Sequence, residues 1–399
     1  MKKPIRAAQR VAGVRYAVRD VVVQAEKLRR AGRRILNLNI GDPNPFGFAP
    51  PTHLIEAVEA AMRANKNGYA PSEGIPEALA AIERDARRRG IGSICHTWIG
   101  SGCSEVIDMA LTALADPGES ILVPSPGYPL YTALAAKLGL DARPYQLDES
   151  NGWQPDVASM RAACDETTRA IVVINPNNPT GSVAEAATLR SILDLAVERD
   201  LVVFADEIYD RLLFDGCEHM PLGSLHPEAS VLSLGGLSKN WLVPGFRIGW
   251  GVVSGDAERL EPWIEAIRQL GRARLSANHP EQYGIAPCLE GSQAHLVDLM
   301  SQLTTRRDLA MRRLNSIEGI SCVAPQGAFY AFARLHDVPD DVRWCRDLMD
   351  ATGVVVVPGS GFGQLPGTNH FRIVLLPSLE VIDEACDAIA QFMRTARRG

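Results

Sequence analysis

Lys239 is the side chain best placed by its setting for covalent chemistry. It closes the run Gly235–Gly236–Leu237–Ser238–Lys239, and Arg247 follows within Val243–Pro244–Gly245–Phe246–Arg247–Ile248–Gly249. A lysine amine among apolar and glycine residues suits Schiff-base formation. The planar fork of an arginine suits a phosphate. Taken singly, a surface lysine and an ion-paired arginine are the commoner cases. Three further motifs precede them. Gly100–Ser101–Gly102–Cys103–Ser104–Glu105 opens an apolar-periodic helix. Small residues there would let a phosphate approach the backbone and the positive helix N-terminus, although an ordinary turn and cap uses the same residues. Asn175–Pro176–Asn177–Asn178–Pro179–Thr180–Gly181 follows a strand-like run. It reads as a rigid loop at a strand's C-terminal end, where open α/β sheets bind ligands, or as a plain turn. Asp206–Glu207–Ile208–Tyr209 follows another such run. Its acid either faces a ligand or caps a helix.

Together the bland readings fail. Phosphate cradle, asparagine loop, acid, tyrosine, lysine and arginine occur in one order, mostly at predicted strand ends. That set is what a protein needs to hold pyridoxal phosphate.

The elements that must carry these residues alternate between short apolar runs and helical periodicities, the pattern of an α/β fold. Strands are expected at 120–124, 170–175, 201–205, 231–234 and 248–253. Their nearly continuous apolar character fits a mostly parallel sheet covered on both faces. Helices are expected at 105–115, 130–138 and 185–199. The tail reads as a smaller α+β unit. It has a long helix at 293–317, strands at 321–323, 329–333, 354–357 and 371–375, and helices at 341–352 and 378–397. A helix at 19–31 and a strand at 35–39 are expected to pack on it. The resulting division is an arm at 1–50, a large domain at 51–291 and a small domain at 292–399.

The chain has 399 residues, 46% hydrophobic and 22% charged, which suits a globular two-domain protein. No apolar stretch is long enough to span a membrane, and residues 1–10 read as a mature N-terminus and not as a signal peptide. The net charge of −6 argues against nucleic acid. The dense basic runs at 84–89 and 394–398 read as exposed helix C-termini. Eight cysteines lie scattered without CxxC spacing, as in a thiol-bearing cytoplasmic enzyme. Neither they nor the histidines form a metal-ligand motif.

Over essentially its whole length the sequence resembles the class I aminotransferases of fold-type I, and most closely the bacterial glutamate–pyruvate (alanine) aminotransferases. The match is carried by Leu38–Asn39–Ile40–Gly41–Asp42–Pro43, Asn178–Pro179–Thr180–Gly181, Phe204–Ala205–Asp206–Glu207–Ile208–Tyr209–Asp210, Gly236–Leu237–Ser238–Lys239, Pro244–Gly245–Phe246–Arg247 and Phe371–Arg372–Ile373–Val374. The resemblance implies a large domain with a mostly parallel seven-stranded sheet and a ping-pong transfer of an amino group from an L-amino acid to a 2-oxo acid. It implies that Lys239 holds the cofactor and moves the substrate proton, and that Asp206 pairs with the pyridine nitrogen. Asn178 and Tyr209 would bond the phenolic oxygen, and Tyr128 would stack on the ring. Cys103, Ser104, Ser238 and Arg247 would hold the phosphate, joined by Tyr69 from a second copy in a homodimer with shared sites. Arg372 would clamp the substrate carboxylate, and Gly41 would let the N-terminal arm approach the substrate. Tyr16 and Arg19, in Tyr16–Ala17–Val18–Arg19–Asp20, match the alanine enzymes' N-terminal pair, with Asp20 where glycine is usual. Asn240–Trp241 stands where Thr–Tyr is usual, and Asn278–His279–Pro280–Glu281–Gln282 also departs from the pattern. These departures are expected around the substrate pocket, with Trp241 and His279 reading a specialised donor. Rival readings are a lyase, cyclase or oxidase on the same fold, or a cofactor-sensing regulator, which would carry a DNA-binding domain ahead of Tyr16.

Overall fold

The computed structural model describes residues 4–14 and 17–396, without the side chains of 17–20 and 396. Its strands are β1 (Leu36–Asn37), β2 (Ile94–Ser101), β3 (Ser120–Ser125), β4 (Asp141–Asp148), β5 (Gln154–Pro155), β6 (Thr168–Ile174) and β7 (Val202–Asp206). They continue with β8 (Ser230–Gly236), β9 (Ile248–Ser254), β10 (Ile320–Cys322), β11 (Tyr330–Leu335), β12 (Val354–Val355), β13 (Val357–Pro358) and β14 (Asn369–Val374).

The large sheet runs β2-β9-β8-β7-β6-β3-β4-β5. The pairs β3–β4, β3–β6, β6–β7 and β7–β8 are parallel, and β9 is antiparallel to both neighbours. The mostly parallel seven-stranded sheet is therefore present, with the two-residue β5 added antiparallel at its edge. Val172, Val203, Phe204, Val231 and Leu232 of the central strands are fully buried, as a sheet with helices on both faces requires. One face packs on helices Cys103–Leu114, Leu130–Leu138 and Ala257–Arg274. The other packs on Val157–Ala163 and Ala186–Glu198.

The second sheet, β10-β11-β14-β13, is antiparallel and shares a core with Ala294–Asn315, Asp341–Thr352 and Leu379–Ala396. β1 pairs in parallel with β12, so the chain's early strand does lie on its tail. Tyr209, Leu212 and Phe214, which follow β7, enter the core of this second sheet. Phe332, Val357 and Phe362 enter the core of the first. The two layers are thus interlocked at the C-terminal ends of β6, β7 and β8.

Two large-sheet strands and several helices depart from the sequence expectation. β2 carries Cys95, His96 and Thr97 among its apolar residues, and β4 carries Arg143, Pro144 and Gln146. Neither shows the continuous apolar run of a central strand. Helices Thr52–Arg63 and Ala257–Arg274 are additions, the second containing Pro262, while Pro76–Arg88 is the helix whose C-terminus the basic run at 84–89 announced. The basic run at 84–89 is only partly a solvated helix end. Arg84, Arg87 and Arg88 lie there, while Arg89 turns inward to pair with Asp210 and Glu207. Of the second run, residues 397 and 398 lie outside the described residues.

Candidate active site

Asp206 ends β7 and is 5% exposed. It caps no helix, because a turn follows it. Tyr131 Oη donates to its Oδ2 at 3.0 Å. Its Oδ1 is buried with no hydrogen-bond partner among the described residues. Burial pushes the carboxyl up to about 6, against the opposing pull of the Tyr131 bond, of the Ile208 backbone N–H and of the Lys239 charge. A buried oxygen without a donor is costly. A protonated pyridine nitrogen facing it would offset that cost, so this position fits the ring of pyridoxal phosphate.

Lys239 follows β8, and its Nζ donates to Gly41 O at 2.9 Å. The same Nζ lies 5.6 Å from the Phe329 ring centre. Gly41 has no room for a side chain, since a Cβ would stand 2.5 Å from Tyr330 Oη. Tyr330 Oη and Tyr209 Oη are 2.8 Å apart, and both rings are buried. Burial first, then the neighbouring Tyr330, raises the Tyr209 phenol well above its ordinary value.

Arg372, on β14, completes this wall. Its guanidinium carbon lies 4.5 Å from the Tyr330 ring centre and 4.9 Å from that of Phe362. Nη1 donates to Asn178 Oδ1 at 3.1 Å and Nη2 to Asn39 O at 2.8 Å. The planar fork is held between two rings and two neutral oxygens, an orientation suited to a carboxylate.

The phosphate cradle lies at the start of helix Cys103–Leu114. Gly102 precedes it with φ +78°, and a Cβ there would collide with the Arg247 guanidinium. Arg247 itself takes a left-handed φ of 54° and donates from Nη2 to Ser101 O at 3.3 Å. A Cβ on Gly249 would collide with Cys103 N. Small residues therefore bring a helix N-terminus and a guanidinium together, which is an anion site. Ser238 is buried and Ser104 half-buried. Tyr128 is half-buried and packs on the apolar layer behind β3. The preceding Gly127 N donates to Phe362 O at 2.8 Å.

Lys239, Asp206, Tyr209, Asn178, Arg372 and Gly41 thus belong to one connected cluster, with Cys103 and Arg247 in the cradle. Tyr69 is not among them. It is 82% exposed, on a segment fixed by His279 Nδ1 to Gly68 O at 2.9 Å, Ala70 N to Ser276 Oγ at 3.2 Å and Arg274 Nη2 to Ser72 O at 2.9 Å. Tyr16 lies outside the described residues. Arg19 and Asp20 fall in helix Ala17–Arg30, with their side chains outside the description.

One sequence expectation is corrected. Trp241 does not read a substrate. It is 1% exposed in an apolar cluster with Trp250 and Leu289, beneath the Arg211 guanidinium. His279 is half-buried, with Nδ1 2.9 Å from Gly68 O. Two residues of the site were missed. Tyr131 had a local signal, being three residues after Tyr128 at a helix start. Tyr330 had none, since its partners Tyr209 and Gly41 are far away in sequence.

A family model described as aminotransferase class I and II matches residues 33–389. The alanine aminotransferase of Mycobacterium bovis is 39% identical over 396 residues, covering 96% of this chain and 92% of that protein. The glutamate-pyruvate aminotransferase AlaA of Escherichia coli K12 is 37% identical over 400 residues, covering 98% of each. The solved structure of an alanine aminotransferase from Pyrococcus furiosus superposes with a TM-score of 0.95 at 40% identity, covering 98% of this chain and 100% of that one.

Proposed function

The chain belongs to the class I and II aminotransferases and is a fold-type I, pyridoxal-phosphate-dependent transaminase, and from that premise we propose how its own residues divide the work and which substrates it takes. Lyase, cyclase and oxidase readings are not favoured, since the relatives that match nearly the whole chain are aminotransferases.

The observation that carries the assignment is the unpartnered Asp206 Oδ1 in the same buried cluster as Lys239. When bound, pyridoxal phosphate supplies an electron-accepting ring that eases loss of the substrate's Cα proton. Asp206 would hold the ring nitrogen protonated, and Tyr209 and Asn178 would hold its phenolic oxygen. Tyr128 would lie against its face. Cys103, Ser104, Ser238 and Arg247 would hold its phosphate. Lys239 would bind the cofactor at rest and, once displaced, its Nζ would take the Cα proton of the amino acid. Arg372 would grip the α-carboxylate, orienting the Cα–H bond for cleavage. Gly41 keeps the approach to Lys239 open beside Tyr330.

The site lies between residues 51–291 and the remainder of the chain. The exposed Tyr69 on a well-tied segment supports a homodimer in which this hydroxyl reaches the partner's phosphate. The eight free thiols support a cytoplasmic setting. The names of the relatives support alanine and glutamate as amino donors, with pyruvate and 2-oxoglutarate as acceptors. Arg19, on the N-terminal helix with Tyr16 just ahead of it, would meet the second carboxylate of glutamate.

Single-turnover absorbance with individual amino acids tests the substrates. Alanine and glutamate should each convert the cofactor to its amine form. Arg19→Ala should depress kcat/KM for glutamate and 2-oxoglutarate far more than for alanine and pyruvate. Equal losses on both pairs would remove Arg19 from the pocket, and absence of a glutamate half-reaction would remove the dual-substrate reading.

A further inference from the structure

Asp206 is the last residue of an extended strand, and Tyr209 and Lys239 lie in the turns that follow β7 and β8. The chain neighbours of all three need a destination of their own. They find one in a buried ionic cluster that the chemistry above does not use. Arg89 Nη1 pairs with Asp210 Oδ2 at 3.0 Å, and Arg89 Nη2 stands 3.6 Å from Glu207 Oε2. Asp210 Oδ1 accepts from Asn240 Nδ2 at 2.6 Å. Glu207 Oε1 accepts from Leu222 N at 2.8 Å. Arg89 Nη2 also lies 3.3 Å from His219 Nδ1. Beside it Arg211 bonds Asp85 at 3.1 Å and lies 5.1 Å from the Trp241 ring centre. Arg88 reaches the same Asp85 oxygen at 3.0 Å. Asp85, Arg89, Glu207, Asp210, Arg211 and Asn240 border a polar cavity of about 30 Å³.

We propose that Arg89 is a positioning residue of the transamination site, fixing Asp206 and Lys239 relative to each other through Glu207, Asp210 and Asn240. The inference rests on the assignment of Lys239 and Asp206 made above. Each anchor is the chain neighbour of a site residue: Glu207 of Asp206, Asp210 of Tyr209, Asn240 of Lys239. A cluster that merely stabilised the core would have no reason for that adjacency. Arg89 grips the turn after β7 through Glu207 and Asp210, and the Asp210–Asn240 bond carries that hold to the turn after β8; the strands themselves stop enforcing the alignment of these two segments at Asp206 and Gly236. The departure Asn240–Trp241 gains a physical meaning here. Asn240 supplies the amide that Asp210 accepts, and Trp241 supplies the face under Arg211.

Charge makes the device sensitive to its centre. Burial opposes ionisation of Asp210, and Arg89, His219 and Arg211 more than offset it, holding the carboxyl below its usual range. Removing one partner of such a buried pair leaves the other uncompensated. Asp210 would then rearrange, and the backbone at Tyr209 and Lys239 would follow.

The test uses the holoenzyme with Arg89→Met, Arg89→Lys and Asn240→Ala. Three quantities are read: kcat and KM, the pH midpoint of the visible band of lysine-bound cofactor, and Tm. A displacement of about 1 Å at the reacting groups costs on the order of 100-fold in rate. Arg89→Met should show a loss approaching that in kcat, a smaller change in KM and a moved spectral midpoint, with Arg89→Lys recovering part of each. Asn240→Ala spares the ion pairs and cuts only the tether, so it should move the midpoint in the same direction at nearly wild-type Tm. Wild-type midpoint and kcat in both Arg89→Met and Asn240→Ala, with Tm alone lowered, would overturn the proposal. If Arg89→Met does not fold, Asn240→Ala decides. Lys239→Ala, made in parallel, must abolish the band. If the band survives, the lysine assignment has failed, whatever the other variants do.

Discussion

At the scale of single residues, Asp206 is poised for a ligand at the expense of the empty chain. Its carboxyl is raised to about 6 by burial, while an unfolded aspartate titrates near 3.9. A raised folded value means that the folded apoprotein holds the proton more tightly than the unfolded chain. The corresponding stability is fully present below about pH 4 and is lost as pH rises through 6. The loss is on the order of 3 kcal/mol, since each tenfold difference in proton affinity between the two states contributes about 1.4 kcal/mol. Asp206→Asn should therefore flatten the decline in apoprotein stability between pH 4 and 7 and melt higher than the parent at pH 7. It should also release cofactor faster, because the amide cannot balance a pyridinium charge. Thermal denaturation of both apoproteins at the two pH values measures this. Parallel curves would show that Asp206 is not the group that titrates.

At the scale of elements, function gathers where strands end and loops must hold unusual backbone. The asparagine loop after β6 is an example. Gly181 has φ +69°, and a Cβ there would run into Pro325 and the Gly327 carbonyl. Its own carbonyl accepts from both Gln326 N and Gly327 N at 2.8 Å. This one residue couples the Asn178 loop to the segment leading to Tyr330. Gly181→Ala should lower stability by about 1–3 kcal/mol and weaken both cofactor retention and substrate binding, as read by Tm, cofactor release and KM. A fall in Tm with unchanged release and KM would limit the glycine to the fold. The same strand ends explain what could be read in advance. Asp206, Lys239 and Asn178 stand directly after apolar runs that only a buried strand explains, so local pattern located them. β2 and β4 were missed because His96, Thr97, Arg143 and Gln146 break the apolar pattern that marks a strand covered on both faces. Tyr330 and Arg89 were missed for a different reason. Their roles lie in contacts across 121 residues for the Tyr209 bond and with the distant turn after β7 for Arg89, and no spacing in one dimension encodes them. Arg89 was further concealed in a run whose other arginines are solvated.

At the scale of the whole molecule, the proposed sharing of sites can be tested without a structure of the dimer. One protomer carrying Lys239→Ala and its partner carrying Tyr69→Phe would together assemble one site with a native lysine and a native tyrosine, if the tyrosine crosses over. The hybrid should then show about half the parent's activity per dimer and retain cofactor at one site with parental affinity. The Tyr69→Phe homodimer should bind cofactor more weakly by about 1.5–3 kcal/mol, the value of a hydrogen bond to a charged group. A hybrid no better than half of that homodimer would mean that each protomer uses its own Tyr69. The chain's linear order also imposes a schedule during synthesis. The groups assigned to the cofactor within one protomer lie between Cys103 and Arg247, whereas the Arg372 clamp bonds Asn39 O across 333 residues. At about 5–20 residues per second, a ribosome takes roughly 6–25 s to travel from residue 247 to residue 372. The cofactor half can form first, while the part that grips the amino acid waits for the last strand, β14. A chain cut off before β14 would be left without Arg372 and with a hydrogen-bonding edge of β11 unpaired, a target for degradation before it could turn over any substrate.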